Sequence, residues 1–489
     1  MTAPQPSPGP GRRAATRRAS GPKEPRTLDR GAVAGGVTLL LALGAAGVTA
    51  AVAGTDPAAS TSASTVPVDH VVNACLRAGS TPGSDAEVLS LSAPLPDQDG
   101  QGTVRYAADA DLEKADGQQA ARGELDTLDA AGPGPSAAAL EADGAIAAGR
   151  ATWQVDEGDD GVSLGVQECG APRGVWWFTG AGAGLDHQSE LVLTNVDPGP
   201  AVVDVTVHGP DGTADDTSTR GITVPPGETV PLPMVEVAPQ AEEIAVGVTA
   251  SKGRVVAAVS DGVAAEPGAE PATDWLPAQS APSRTVRLAG MPVRADRRTL
   301  VVANPSDREA LVDVEVAGEG GSFAPTEGAQ LRVPPGSVVS SDLTDAVGRE
   351  ASAVVLRSSV PVTATVRSTS GADSSYAGAV LPLGGPGAAP VVPGNDAAVV
   401  LTGGPVAGGA AVVAYRDDGS EVDSTRMQLQ ARATALWDVP RKADYVVVTP
   451  QGAGVFGGLV LDGDDGLAQV PLRPLPVELR MPVVEPALR

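Results

Sequence analysis

The chain has 489 residues, with 34 Lys or Arg against 60 Asp or Glu, a net charge of −26. Apolar residues make up 42% of it and aromatic residues only 2%, while glycine and proline contribute 60 and 44 residues. The apolar share excludes wholesale disorder, and the acidic balance excludes a nucleic-acid surface, which needs clustered Lys and Arg against phosphates.

The charge is unevenly placed. Residues 1–30 form a basic tail with seven Lys or Arg and two Asp or Glu, so their +5 leaves −31 for the rest of the chain. Residues 31–53 carry no charge, and a run of that length suffices to cross a bilayer as a helix. Basic flanks before it and acidic ones after it predict a single-pass transmembrane helix over 31–54. The N-terminus is then cytoplasmic and the remainder lies outside the cell membrane. The alternative is secretion after cleavage near Ala53, because Ala51-Val52-Ala53 has the small-x-small form of a signal-peptide site. A linker (55–67) and a mixed ectodomain segment (68–174) follow. Within the latter, Ala110 to Ala148 reads as short helical turns without a heptad. Ala151 to Val155 alternates as a strand does.

Cys75 and Cys169 are the two cysteines. An even count in an exported chain predicts one disulfide. With three scattered histidines they lack the ligand spacing of a zinc site, and no metal or cofactor is assigned.

From Val175 an internal repeat emerges. Leu191-Val192-Leu193-Thr194-Asn195 recurs 109 residues later as Leu300-Val301-Val302-Ala303-Asn304. At the same offset Val203 to Val207 recurs as Val312 to Val316, and Ile222 to Gly227 as Leu331 to Gly336; both of the latter end in Val-Pro-Pro-Gly. Val255 and Ala257 match Val362 and Ala364. Two homologous modules follow, 175–282 and 283–389, with a divergent third over 390–489 that lacks the Asn and the Val-Pro-Pro-Gly. The valine strands alternate as in a half-buried sheet. Asp-Gly pairs at Asp160, Asp211, Asp261 and Asp418 suit hairpin turns. The expected fold is mainly β, with tandem β-sandwich modules of immunoglobulin-like size after the membrane helix. A β-propeller-like repeat is the alternative, although blades usually repeat every 40–50 residues.

Cys169-Gly170-Ala171-Pro172, then Trp176-Trp177-Phe178-Thr179-Gly180, precede the first repeated strand. This arrangement resembles a family of uncharacterised actinobacterial envelope proteins with one membrane span, in which Cys-x-x-Pro precedes Trp-Phe-x-Gly and strands end in Asn-Pro. Cys169, Pro172, Trp177, Phe178 and Gly180 match, and Asn304-Pro305 supplies the Asn-Pro; Asn195 is followed by Val196 instead. The resemblance implies an exported protein of unknown function and transfers no catalytic residue.

Trp176, Trp177 and Phe178 form the candidate binding surface. Neighbouring strand residues face opposite ways, so one tryptophan enters a core. The other packs at a module boundary or serves as a stacking platform for a sugar or partner. Enzyme motifs fare worse. Gly161-Val162-Ser163-Leu164-Gly165 has the nucleophile-elbow spacing but no helix pattern after it, and His208 ends an alternating strand, facing solvent. Gly452 to Gly457 has the G-x-G-x-x-G spacing but is followed by a strand, so it reads as a hairpin. Asp156 to Gly161 and Asp462 to Gly466 lack the ligand order of a calcium loop and read as solvated turns. The expectation is a non-enzymatic binding or scaffold component of the cell envelope, with an envelope protein or glycan as partner and an undetermined oligomeric state. The alternatives are a structural spacer and a cell-wall glycan-acting enzyme or accessory with an unrecognised carboxylate site.

Overall fold

The computed structural model describes residues 65–480 apart from short stretches at 80–84, 96–99, 116, 131–133, 158–162, 215–218, 265–267, 269–270 and 464–465. The predicted membrane helix and basic tail lie outside these residues. Among the described residues no helix is long and apolar enough to cross a bilayer.

The protein is mainly β, built from small antiparallel sheets. Eight strands in chain order, His70–Arg77 through Leu164–Glu168, make two four-stranded sheets. Their spatial orders are 1-6-3-4 and 5-2-7-8. The same two orders recur over Val175–Ala181 through Ala272–Leu276, Ser283–Ala289 through Asp373–Gly378, and Gly387–Pro390 through Gly466–Pro471. In the second and third pairs the fourth strand is split in two. In the third pair one 18-residue strand, Ala353–Ser370, serves as both sixth and seventh, leaving the first sheet for the second around Pro361. The region read as mixed therefore carries the same strand order as the repeat, and Ala110 to Ala148 holds strands and one 3₁₀ turn, Leu112–Lys114.

Each repeated block occupies an equivalent place. The Leu-Val-Leu and Leu-Val-Val blocks are second strands, Val203 to Val207 and Val312 to Val316 are third strands, and the Val-Pro-Pro-Gly blocks end fourth strands. The asparagine has a definite job. Asn195 Nδ2 donates to the carbonyls of Gly199 and Val224 at 2.8 and 2.9 Å. Asn304 does the same to Arg308 and Val333 at 2.7 and 3.0 Å. A buried amide thus ties the loop after the second strand to the end of the fourth. Gly227 and Gly336 sit at φ +70 and +68, the third position of a type II turn that Pro-Pro-Gly favours. The fourth pair has Arg432 there, at φ +55.

Inward rows of both sheets share one core. In the third pair Val286, Leu288, Leu300, Val302, Val314, Leu356 and Val366 meet in a wholly aliphatic cluster. Burying each of these is worth about 1.5–3 kcal/mol. The first sheet of each pair also faces the second sheet of the next pair, through smaller residues such as Ala245 with Val301 and Ala303, or Ala289 and Ala317 with Phe456. Second strands are therefore buried on both faces, as Leu191, Val192 and Leu193 show. The half-buried alternation expected of every repeated strand survives in third strands such as Ala201–Gly209. The four eighth strands touch one another in a closed circuit, the last against the first. The fourth and first pairs share one apolar cluster. Thr65–Pro67 pairs with Glu478–Arg480, so the two ends of the described region lie side by side.

Candidate functional site

Where the first pair opens toward the second lies a cavity of about 270 Å³. Its first wall is the start of the seventh strand of the first pair, Arg150–Glu157, which lines it with Arg150 and Thr152; the same buried inward row continues beyond the cavity as Gln154 and Asp156. Asn73 donates to Thr152 Oγ1 at 3.4 Å and Gln167 Nε2 to the Leu76 carbonyl at 2.6 Å, bridging the two sheets. The disulfide Cys75–Cys169, with Cα atoms 4.5 Å apart, joins the first strand to the residue after the eighth. Opposite are Trp176, Phe178 and Trp275 from the second pair.

Three arginines reach this space. Arg150 is 2% exposed; its Nη2 donates to Ser90 Oγ and lies 3.9 Å from Asp126, while Nε and Nη1 have no acceptor among the described residues. Arg173 lays its guanidinium 3.6 Å from the Trp176 ring centroid, and its Nε has no acceptor either. Arg473 pairs with Glu168 at 3.1 Å and donates to the Ala278 carbonyl. Burial pulls Arg150 down to about 10. Burial and then the neighbouring Arg473 pull Arg173 down to about 10.

Two further polar clusters are interlocked. Inside the second pair, His187 Nε2 lies 3.0 Å from both Asp261 oxygens, and its Nδ1 is 2.6 Å from the Glu242 carbonyl. Ser189 and Tyr376, the latter from the third pair, also donate to Asp261. Burial disfavours the His187 charge, but Asp261 outweighs it and raises the group; Asp261 is held low by His187, Ser189 and Tyr376 despite its burial. Near the circuit of eighth strands, Asp156 accepts from Trp275 Nε1 at 2.6 Å and from Gln154 at 2.9 Å. Asp274 accepts from the Trp275 amide at 2.7 Å. Burial first, then the charge of Asp373, pushes Asp274 well above the usual carboxylate range.

Several residues sit elsewhere than their local sequence predicts. Asp261-Gly262 is not a turn: Asp261 is fully buried within the strand Val256–Val263, where His187, Ser189 and Tyr376 satisfy its carboxylate. His208 does not face solvent; it is 4% exposed and lies 3.0 Å from the Gly336 carbonyl of the third pair. Gly452 to Gly457 joins strands of different sheets rather than a hairpin. Asp156 is buried, not a solvated turn, and part of each acidic loop lies outside the described residues. Trp176 and Phe178 face the core, stacked at 6.3 Å, with Trp176 Nε1 donating to the Val255 carbonyl at 2.9 Å. Trp177 points the other way, half-buried and stacked on His208 at 6.0 Å. Gly247 lies beneath it, where a Cβ would come within 2.9 Å of the ring. His70, Glu141 and Asp143 bring three ligand atoms together, but Arg105 engages Glu141 and Asp143 takes His70 Nδ1 at 2.8 Å.

The arginines went unnoticed in sequence because each is separated from the others by tens of residues. The available signal was positive charge at the start of one apolar strand, Arg150, and two residues beyond the ends of others, Arg173 and Arg473, in an otherwise acidic region.

These features define a disulfide-stapled all-β protein with a repeated two-sheet unit and a polar cavity. The chain belongs to the family described as "Family of unknown function (DUF5719)", which matches residues 126–440. No curated protein matches this chain. Among solved structures, a Streptomyces avermitilis alpha-L-rhamnosidase complexed with L-rhamnose is similar at 10% identity and a TM-score of 0.11, over 79% of this chain and 53% of that one. The chain thus spans about half the length of that enzyme, and a likeness so slight carries no argument.

Proposed function

We propose that each two-sheet unit is a β-sandwich of immunoglobulin-like size, and that four of them form the exported part of a membrane-anchored envelope protein. Its role is non-enzymatic: it binds or scaffolds another envelope component, a protein or a glycan. The observation that carries the reading is how the groups resembling catalytic ones are engaged. Ser189 donates to Asp261 rather than to His187, and His187 spends both ring nitrogens on Asp261 and a carbonyl. A nucleophile needs its base within hydrogen-bond reach; here serine and histidine compete for one carboxylate. A spacer fits less well, because pairing of Thr65–Pro67 with Glu478–Arg480 returns the chain to its starting point and forfeits reach.

The anchoring supports itself on the uncharged run 31–53 and its basic flank. The full chain should stay with membranes through alkaline carbonate extraction; release into the supernatant overturns the anchor. Crosslinking on intact cells should attach an envelope protein or polysaccharide. Turnover of a cell-wall glycan by the purified chain would instead establish the enzyme alternative.

A further inference from the structure

We propose that the cavity between the first and second pairs binds a small oxyanion, a carboxylate or phosphate monoester, carried on a flat apolar body. The inference stands apart from anchoring and scaffolding: a secreted or catalytic chain would keep the same cavity.

The argument begins with charge. The rest of the chain beyond its basic tail is strongly acidic, yet Arg150, Arg173 and Arg473 converge on one cavity whose only acidic lining residue, among the described residues, is Glu168. Glu168 is taken by Arg473. A guanidinium stays charged in proteins and offers five donors. Burying it without acceptors costs several kcal/mol. Arg150 nevertheless leaves Nε and Nη1 without acceptors while 2% exposed, and Arg173 leaves its Nε so. Arg298 of the third pair, equally buried, instead donates to the carbonyls of Pro292, Val293 and Ala295 and leaves only its Nε unused.

Geometry then selects the ligand. A planar guanidinium matches two oxygens of one carboxylate or phosphate in a fork, and three guanidinium-bearing side chains line this cavity. Stacking on Trp176 fixes the plane of Arg173, which reduces the freedom lost on binding. Val256, Leu276 and Trp275 form the apolar remainder of the wall. Such a wall suits a flat ring or short apolar chain, and a cavity of about 270 Å³ suits a small molecule rather than a polymer. The burial that depresses Arg150 and Arg173 agrees with this, since a bound anion would raise them again.

The probes are benzoate and phenyl phosphate, with benzyl alcohol and inorganic phosphate as the halves, titrated into the detergent-solubilised full chain. Binding is read by the fluorescence of Trp176 and Trp275 and by calorimetry. At least one aromatic anion should saturate and raise the melting temperature. Arg150→Met should weaken it at least tenfold while melting no lower than the parent. Arg173→Gln should weaken it comparably, and serves as the second variant if Arg150→Met fails to fold. Benzyl alcohol binding as tightly as benzoate overturns the anion. Inorganic phosphate binding as tightly as phenyl phosphate overturns the apolar body. Saturation unchanged in both arginine variants, or no saturation by either aromatic anion, overturns the site.

Discussion

The first and third sheet pairs share a strand order and differ in their interiors. The third is filled mainly by Val, Leu and Ala, and its one buried arginine among the described residues, Arg298, donates to the carbonyls of Pro292, Val293 and Ala295. The first sets Arg150, Thr152, Gln154 and Asp156 in a row along one inner wall, and a disulfide crosses it. Strand order is therefore compatible with either filling. The dry interior supplies stability by area and close packing. The polar one gives up part of that stability, and its staple offsets some of the loss by restricting the unfolded chain. A polar interior held at such a cost is where a ligand-directed purpose is expected.

The largest test removes the staple. Cys75→Ala with Cys169→Ala opens a loop of 94 residues, and loop-closure entropy predicts a loss of about 4 kcal/mol, read by urea unfolding. A loss below about 1 kcal/mol would mean that the first pair does not depend on it. On the dry side, Leu356→Ala truncates a fully buried side chain and should cost about 3 kcal/mol. A much smaller cost would show the third interior to be loosely packed.

A third test uses pH. Asp274 is raised by burial and by Asp373, so the folded state holds its proton more tightly than the unfolded one. Its contribution is full below the unfolded carboxylate range and is lost as pH rises through the raised value. His187 is also raised, so its stabilisation is full below its unfolded value and fades above its folded one. Melting temperature should therefore fall from pH 5 to pH 8. Asp274→Asn keeps an acceptor for the Trp275 amide, removes the repulsion, and should gain about 1 kcal/mol at pH 8. An unchanged pH slope in that variant would refute the assignment. The smallest effect concerns Arg432 at φ +55. Arg432→Gly should gain about 0.5–1 kcal/mol by relieving backbone strain, less the exposed 3.6 Å contact with Glu315. A destabilised variant would mean that the contact outweighs the strain.

Much of the fold was legible where local chemistry repeats. Asn195 and Asn304, and the glycines at 227 and 336, mark loop and turn positions that admit few residue types, so their 109-residue offset exposed two modules. The first pair was illegible because its interior is polar and its loops differ, so the same strand order left no repeated letters. The fourth was only half visible, since Gly403 replaces the asparagine and Arg432 the glycine. Of the aromatic trio, alternation alone separated Trp176 from Trp177. It could not reveal that Trp177 rests on His208 at a boundary with the third pair.

The sequence by itself determined the β class, the cysteine count, the charge asymmetry and the two clearest modules, because each follows from composition, period or turn chemistry. The disulfide pairing of Cys75 with Cys169 needed only an even count of two. Only the tertiary structure decided that the pairs close on themselves and that every second strand is buried on both faces. It alone brought Arg150, Arg173 and Arg473 to one cavity. The physical reason is distance along the chain: contacts between residues hundreds of positions apart leave no local period, and a buried charge is recognised only by what surrounds it.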